Sequence, residues 1–282
     1  MSSSQNPASQ GRDAPSISDL TGLWRRSLIK WPNGKADSTS SVRWLQTRSQ
    51  FVDLRQPVAR PSFDDVSCLR ELRRTHIEWL ALQEGFAGEI AFDGTHFEWQ
   101  RQIDLQPMTG YPDVGRLWFE GDMMIEEGRD IPYIEHWHRA VRSPQPCVGI
   151  SLREIPSGRP GIVVRAGDIF MYARARLVEL LSRGNLLQHV MTDAMLHDVQ
   201  DLIDCEISFG RIESNGWLIE HSSLPFKEQH MLNPVTSDLV EAELRTADLA
   251  PDGALIQRRW QITCIQGAMS EMFGIGGNEP RT

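Results

Sequence analysis

The segment Tyr133–Arg139, "YIEHWHR", brings carboxyl, imidazole, guanidinium and aromatic side chains together in one predicted strand. Successive side chains of a strand point to opposite faces. The two faces would therefore carry different chemistry: Tyr133, Glu135, Trp137 and Arg139 on one, and Ile134, His136 and His138 on the other. Two imidazoles two residues apart lie on the same side, about 7 Å apart. That spacing suits a proton-transfer pair or two ligands of a metal ion.

These residue types predict acid–base chemistry on a small organic molecule. We expect Glu135, His136 and His138 to be the catalytic groups, because buried carboxyl and imidazole groups transfer protons near neutral pH. The substrate would be bound by a second set of side chains, Arg55, Tyr133, Trp137, Arg139 and Glu98. The predicted reaction is an isomerisation, dehydration, cyclisation or lyase step that needs no cofactor.

Two alternatives for the imidazoles remain open. A metal site would need a third ligand from a neighbouring strand, and the candidates are Glu98, His96, His221 and Glu220. A structural position at an interface between lobes would need no further chemistry. Because the sequence has no HExxH motif, we predict no bound metal.

Composition and charge disfavour several classes of function. The net charge of −9 and the scattered basic residues argue against nucleic acid as the main partner. The sequence has no glycine-rich nucleotide loop, no GxSxG motif and no CxxC pair among its four cysteines. The N-terminus lacks the apolar region of a signal peptide, and no window approaches the ~18 apolar residues of a membrane span. We therefore expect a cytoplasmic protein without membrane contact.

Hydrophobic periodicity predicts that most of the chain forms strands. Short stretches alternate polar and apolar residues, and turn sequences such as "PNG", "SNG" and "PDG" separate them. Only two stretches favour helix, a short one around 64–74 and Asn185–Asp204, whose apolar side chains share one face. Many strands at hairpin spacing predict a meandering antiparallel sheet that closes into a barrel or stacks as a sandwich.

Three pairs of stretches in the same order indicate an internal repeat. "TGLW" is matched by "GRLW", "FVDLRQP" by "YIEHWHR", and "GEIAFDGTHFEWQRQIDLQP" by "CEISFGRIESNGWLIEHSSLPF". The repeat predicts two similar β lobes, 18–111 and 112–268, with a boundary near Pro112 and helix 185–204 inserted in the second. Residues 1–17 are predicted to be a disordered tail and residues 269–282 a flexible one.

A Gly-x-Trp entry to the first strand, Gly22–Trp24, is also a mark of the lipocalin-like (calycin) barrels. With "FVDLRQP", "YIEHWHRAV", "GIVVRAGDIF" and "CEISFGRI" following in order, Leu20–Gln266 resembles the two-lobed lipocalin-like family of a yeast protein that interacts with the kinase Hrr. The resemblance implies a mainly β fold of two tandem lipocalin-like antiparallel barrels, and no particular activity. It also implies an arginine stacked on Trp24, for which Arg258 and Arg259 are the candidates.

A barrel with a central cup also allows functions without catalysis. A carrier or sensor of an apolar ligand or of haem would use the same cup. A protein-interaction scaffold would instead be packed solid and would bind through its outer surface. A cavity lined by histidine and glutamate would favour the enzyme, and a purely apolar one the carrier. The expected partner is a small, largely apolar organic ligand, and a homodimer is left open.

Overall fold

The computed structural model of the protein describes residues 13–108, 110–142, 144–180, 184–192, 195–236 and 243–273. These residues form seventeen strands and four α-helices, and the strands are arranged in two antiparallel sheets. The predicted fold class, mainly β with two barrel-like lobes, is confirmed. Most strands alternate polar and apolar residues, and a sheet that curls on itself can bury one set of side chains inside.

The first sheet is a closed barrel. Its strands are β1 (Gly22–Lys30), β2 (Ala36–Asp37), β3 (Ser41–Gln46), β4 (Gln50–Gln56), β5 (Glu84–Phe92), β6 (Phe97–Asp104), β7 (Val114–Glu120), β8 (Met123–Gly128) and β9 (Ile134–Arg142). From β3 onward each strand pairs with the next, and β9 returns to pair with β1, so eight strands close the ring. The two-residue strand β2 is attached to the end of β1.

The second sheet is a curled half-barrel. Its strands are β10 (Cys147–Glu154), β11 (Pro160–Ala166), β12 (Ile169–Arg174), β13 (Glu206–Glu213), β14 (Gly216–Ser222), β15 (Val235–Thr236), β16 (Glu243–Leu249) and β17 (Leu255–Gln266). Here too the last strand, β17, pairs with the first, β10. The sheet ends at β14 on one side and at β15 on the other. An irregular segment connects β14 to β16. Its His230 carbonyl oxygen accepts from the Ile219 amide of β14 at 2.9 Å, and its Leu232 carbonyl oxygen accepts from the Ala247 amide of β16 at 2.9 Å.

The helices differ from the two predicted ones. The four are α1 (Arg74–Leu80), α2 (Leu186–Thr192), α3 (Leu196–Ile203) and α4 (Met269–Phe273). The predicted helix at 64–74 is wrong, because only a 3-10 turn at Leu69–Glu71 precedes α1. The predicted helix 185–204 is divided, because Met195 has extended backbone angles and α3 begins after it. Residues 193 and 194 lie outside the described residues.

The inserted helices occupy the same place in both lobes. Helix α1 lies between β4 and β5, the third and fourth strands of the eight that close the ring. Helices α2 and α3 lie between β12 and β13, the third and fourth strands of the second sheet as the chain runs. The prediction of a helix inserted in the second lobe alone is therefore too narrow. All three helices pack against one another in the shared apolar core between the sheets.

The two sheets divide between Arg142 and Cys147, and not near Pro112. The segment Gly115–Trp118, predicted to open a second lobe, lies within β7 of the closed barrel, and "YIEHWHR" contributes its closing strand β9. The two tryptophans matched by the predicted repeat also differ in surroundings. Trp24 is fully buried, whereas Trp118 is half-buried and donates to Glu120 at 3.0 Å. The predicted register of the repeat is wrong, because alternation alone does not show which strands open and close a barrel.

A repeat does exist in another register, and the tryptophans of the two closing strands show it. Trp137 on β9 donates its indole N–H to Glu126 on β8 at 3.0 Å. Trp260 on β17 donates its indole N–H to Thr246 on β16 at 2.9 Å. Both indoles are fully buried. Each closing strand therefore hydrogen-bonds its tryptophan to the strand that precedes it.

An ion pair recurs beside these tryptophans with its charges exchanged. Arg26 on β1 lies opposite Trp137 and pairs with Glu135 at 2.5 Å. Glu154 on β10 lies opposite Trp260 and pairs with Arg258 at 2.7 Å. In both lobes the partner on the closing strand stands two residues before the tryptophan. The two lobes thus share this arrangement, and the exchanged charges hide it from a residue-by-residue comparison.

Three apolar cores hold the fold together. One fills the closed barrel with aromatic rings, among them Trp24, Trp44, Trp99 and Trp137. A second fills the half-barrel. The third lies between the sheets and joins outer faces of the barrel, including Leu45, to those of the half-barrel, including Ile207. The lobes therefore share a core and support each other.

Parts of both predicted tails are ordered. Ser16 caps a 3-10 turn at Ile17–Leu20 through a capping box with Asp19. Helix α4 buries Met272 fully, and Arg165 donates to its backbone oxygen at 2.7 Å. A helix end that is buried and capped in this way is not a flexible tail. The remainder of both predicted tails, 1–12 and 274–282, lies outside the described residues.

Candidate functional site

Strand β9 divides its side chains between the two faces as predicted. Glu135 and Trp137 point into the closed barrel and are almost completely buried, at 1% exposure each. Tyr133, just before the strand, directs its hydroxyl to Glu126 at 2.7 Å. This face therefore contributes a carboxyl group, an indole and a phenol to one buried cluster.

The two histidines lie on the outside of the barrel. His136 is half-buried and His138 is exposed. The His138 imidazole contacts the hydroxyl of Ser27, with 2.9 Å between Nε2 and Oγ, and it lines a wide depression of about 850 Å³. Because the barrel wall separates them from Glu135, the predicted catalytic set does not come together in one site. The period-two alternation that placed Glu135 inside also placed the imidazoles outside.

Glu135 is held by two guanidinium groups. Its Oε1 lies 2.5 Å from Arg26 and 3.4 Å from Arg55, and Arg55 also pairs with Asp53 at 2.8 Å. Burial raises the pKa of Glu135 although both arginines oppose this effect. Burial likewise raises the pKa of Asp53. Arg55, a predicted substrate-binding residue, pairs with Glu135 in this cluster, and Arg26 is a further member.

Glu126 is the central residue that sequence reasoning missed. It lies directly opposite Glu135 on the neighbouring strand β8 and is 4% exposed. Its two oxygens accept hydrogen bonds from Tyr133 and Trp137, both neutral donors. Burial raises the pKa of Glu126 well above its usual range, and the neighbouring Glu135 carboxyl raises it further. The signal was present in "MMIEEG", because the first glutamate falls on the same face as the core residue Met124.

Arg139 lies apart from the interior cluster that contains Tyr133, Glu135 and Trp137. Its guanidinium lies 4.2 Å from the ring of Trp24 and donates to the Thr21 carbonyl oxygen at 2.8 Å. The arginine that stacks on Trp24 is therefore Arg139, from the closing strand of the same barrel. The candidates Arg258 and Arg259 belong to the other sheet, where Arg258 pairs with Glu154. Arg139 is thus placed at the end of the barrel that Trp24 occupies, with a role in packing.

A pocket opens in the wall of the barrel where β6 and β7 separate. The two strands pair only at Phe97 with Gly115 and at Glu98 with Val114. Beyond these pairs lies a pocket of about 290 Å³, and its lining includes Glu98, Trp99, Arg101, Asp104, Tyr111 and Asp113. The predicted binding residue Glu98 therefore lies on this pocket, whereas Tyr133, Trp137 and Arg55 lie in the interior cluster.

The pocket and the barrel interior share side chains. Trp99 lines the pocket and packs edge-on against Trp44 in the barrel core, with 5.8 Å between ring centroids. Arg101 lies 3.5 Å from the ring centroid of Phe86, another core residue. It also pairs with Asp113 at 2.6 Å and with Asp104 at 2.9 Å. The floor of the pocket is therefore the aromatic filling of the barrel.

The half-barrel also contains a cluster of buried charges, and this cluster is balanced. Four basic residues, Arg159, Arg174, Lys227 and Arg258, meet four acidic ones, Glu154, Asp204, Glu206 and Asp248. Burial lowers the pKa of Lys227 to about 8. Hydrogen bonds from Arg159, Ser157 and Arg258 hold the pKa of Glu154 at about 2, against the effect of burial. Each acid has a basic partner, which is the usual condition for burying charge.

Within the part of the chain that the structure describes, no group of three or more His, Cys, Asp or Glu side chains is arranged to hold a metal ion. His96 is near Asp93, at 4.0 Å, and His221 is near the ring of Phe209. Among the described helices none has the length and apolar content needed to cross a membrane.

Fold and site together define a two-lobed β-barrel protein with a polar cluster inside its closed barrel. No protein-family model matches the chain, and no curated protein matches its sequence. Its structure is similar to that of an uncharacterized protein, YLR301w, from Saccharomyces cerevisiae. The TM-score is 0.50 and the identity 11%, over 87% of this chain and 98% of that one. At this identity the likeness shows the two-lobed fold alone.

Proposed function

We propose that this chain is a lipocalin-like protein that binds a small organic ligand in its closed barrel, without converting it. The ligand would enter where β6 and β7 separate. The observation that carries the proposal is this gap, because it leaves a pocket whose floor is made of barrel-core side chains. Binding sites of proteins are concave, with apolar walls and a few polar groups that fix orientation, and this pocket has both.

The volume and lining indicate the size and shape of the ligand. A pocket of about 290 Å³ lies at the lower end of the range that holds drug-sized molecules, roughly 300–1,000 Å³. Trp99 and Tyr111 supply aromatic walls, and Met108 supplies an adaptable apolar one. We therefore propose a small ligand with one aromatic or apolar body and one polar group.

Binding is favoured over catalysis by the placement of the predicted catalytic groups. His136 and His138 are outside the barrel, and Glu135 is tied to two arginines. Glu135 is thus part of a buried ionic cluster on the other side of the barrel wall from both imidazoles, so the three groups cannot act on one substrate.

Glu126 and Tyr133 support a second candidate, a cofactor-free enzyme of the isomerase or lyase type. A buried carboxyl group with a raised pKa holds a proton that it can donate as a general acid. Glu126 has this property, and the phenol of Tyr133 contacts it at 2.7 Å. In this reading Glu126 would protonate the substrate and recover the proton in the same turnover.

A ligand screen tests the proposal. Native mass spectrometry of the recombinant protein would detect a co-purified ligand, and ligand-observed NMR would screen small aromatic fragments. We expect Tyr111→Ala to weaken binding, because Tyr111 is 63% exposed and lines the pocket. The matched control is Leu255→Ala, which truncates an exposed apolar side chain on the other sheet. Absence of any bound fragment, or equal effects of both substitutions, would contradict the proposal.

The same fragments separate the two candidates. If a bound fragment is chemically unchanged after long incubation, the protein is a binder. If it is converted, and Glu126→Gln abolishes conversion while binding persists, the protein is an enzyme that uses Glu126 as its acid. The change is nearly isosteric: the amide oxygen can accept from Trp137, the amide nitrogen can donate to the Tyr133 hydroxyl oxygen, and the titrating proton is removed.

A further inference from the structure

We propose that the ligand carries a protonated amine beside its aromatic or apolar body, and that buried carboxyl groups of the closed barrel neutralise it. This inference rests on the proposed binding function and names the chemical class of its ligand. It stands on an excess of carboxyl groups over basic groups in the buried cluster of the closed barrel, an excess that the buried cluster of the half-barrel does not show.

The first part of the imbalance is the pair of carboxyl groups that face each other inside the barrel. Glu126 on β8 and Glu135 on β9 are cross-strand partners, and both side chains are buried. Like charges directly opposite on neighbouring strands destabilise a sheet. Glu135 has Arg26 and Arg55 as partners, but within the described residues Glu126 forms no ion pair. Burial and the neighbouring Glu135 favour the protonated form of Glu126, and a positive charge beside it would allow both carboxyl groups to ionise.

The second part is the count of charges in the barrel interior. Three buried carboxyl groups, those of Asp53, Glu126 and Glu135, share two guanidinium groups, those of Arg26 and Arg55. With all three carboxyl groups ionised, the cluster would carry one negative charge more than its two guanidinium groups balance. The cluster also contains a buried oxygen atom, Oε2 of Glu135, that has no hydrogen-bond partner among the described residues.

Acidic groups also outnumber basic ones in the ion pairs of the pocket wall. Asp104 and Asp113 share the single guanidinium of Arg101. Asp113 also acts electrostatically on Glu126, so the pocket wall and the interior cluster lie within range of each other. Gly115, two residues after the pocket residue Asp113, faces the interior cluster, because a Cβ there would lie 3.4 Å from Cγ of Glu126. A cationic group in the pocket would therefore be attracted both by the carboxyl groups of the pocket wall and by those of the interior cluster.

Aromatic rings in the pocket favour the same ligand. Trp99 and Tyr111 line it, and the faces of such rings attract organic cations. The ring of Phe86 already holds a guanidinium at 3.5 Å, that of Arg101. A protonated amine on an aromatic body would thus find a negative wall and π-faces together.

The half-barrel is the internal comparison. There four acidic and four basic side chains pair with one another. The fold can therefore balance its buried charges with its own residues. The closed barrel, which has the pocket, is the lobe that does not.

Matched fragments test the inference. The library of small aromatic fragments is built in triplets that share a body and differ in charge, with phenethylamine, phenethyl alcohol and hydrocinnamate as the reference set. Titration calorimetry at neutral pH gives each affinity. We expect the amine to bind at least about tenfold more tightly than the alcohol, the size of effect that a hydrogen bond to a charged group produces. The carboxylate should bind most weakly of the three.

Two substitutions locate the effect. Glu126→Gln should reduce the preference for the amine over the alcohol to near unity. The control is Glu127→Gln, which removes a carboxyl group from the next position of β8, where the side chain is exposed. Should Glu126→Gln fail to fold, Asp113→Asn on the pocket wall is the second variant, and it should lower the same preference.

The outcomes separate this inference from the proposed function. If alcohol and amine bind equally and Tyr111→Ala weakens both, the binding function stands and the cationic ligand is wrong. If the carboxylate binds best, the cationic ligand is also wrong. If no member of any triplet binds, both proposals fail.

Discussion

The ion pair of Arg26 and Glu135 gives the sharpest test of how the closed barrel is stabilised. Their side chains are 7% and 2% exposed, and 2.5 Å separates Nη1 from Oε1. We consider Glu135→Gln, Arg26→Gln and the double variant. Glu135→Gln keeps nearly the same side-chain volume, so that loss of charge, and not a cavity, dominates its effect on stability.

The expected magnitudes follow from how each charge is shared. Glu135→Gln removes the acid that two buried guanidinium groups share and leaves Arg26 with only the longer pair to Asp37 at 3.5 Å. Breaking a buried pair in this way costs about 3–5 kcal/mol. Arg26→Gln leaves Glu135 with Arg55 at 3.4 Å, so it should cost less, roughly 1–3 kcal/mol. The double variant should cost less than the sum of the singles by about 1–3 kcal/mol, because the two residues interact directly.

Urea unfolding followed by tryptophan fluorescence measures these free energies, since Trp137 lies opposite Arg26 in the barrel. The control is Arg60→Gln, which breaks the exposed pair with Glu228 at 2.9 Å and should change stability by less than about 1 kcal/mol. The reasoning would be refuted if the two single changes added within about 0.5 kcal/mol. It would also be refuted if Arg26→Gln cost more than Glu135→Gln.

Three further predictions concern other parts of the fold. Burial lowers the pKa of His221 to about 4, so the unfolded chain takes up a proton at a higher pH than the native protein does. The free energy of unfolding should therefore fall by on the order of 1–2 kcal/mol between pH 6.5 and 4. The fall should be smaller in acid unfolding of His221→Gln. Arg139→Met removes the guanidinium from the face of Trp24 and should cost about 1–2 kcal/mol in urea unfolding, with Arg139→Lys recovering part of it. Gly149→Ala directs a methyl group into the side chain of Gln50 on the other lobe and should cost roughly 1–3 kcal/mol; thermal unfolding should show partial recovery when Gln50→Ala is added.

Local pattern was enough to predict the strands and the faces of the site strand. Alternation in "YIEHWHR" correctly separated Glu135 and Trp137 from His136 and His138. These results depend only on residues within one strand, where the two-residue period is fixed by backbone geometry.

Local pattern failed where partners come from distant segments. The repeat was assigned in the wrong register, because "YIEHWHR" closes the first barrel by pairing with β1, more than a hundred residues earlier in the chain. Glu126 was missed because its importance comes from lying opposite Glu135. Nothing in a single strand shows which other strand will lie beside it.

The sequence alone thus determined a mainly β chain, its two-lobed architecture and the contents of each strand face. Only the tertiary structure decided which faces meet. It placed two buried carboxyl groups opposite each other, put the histidines on the outside, and separated β6 from β7 to leave a pocket. The physical reason is range: alternation is a property of neighbours in the chain, whereas burial of charge depends on which strands pair when the sheet closes.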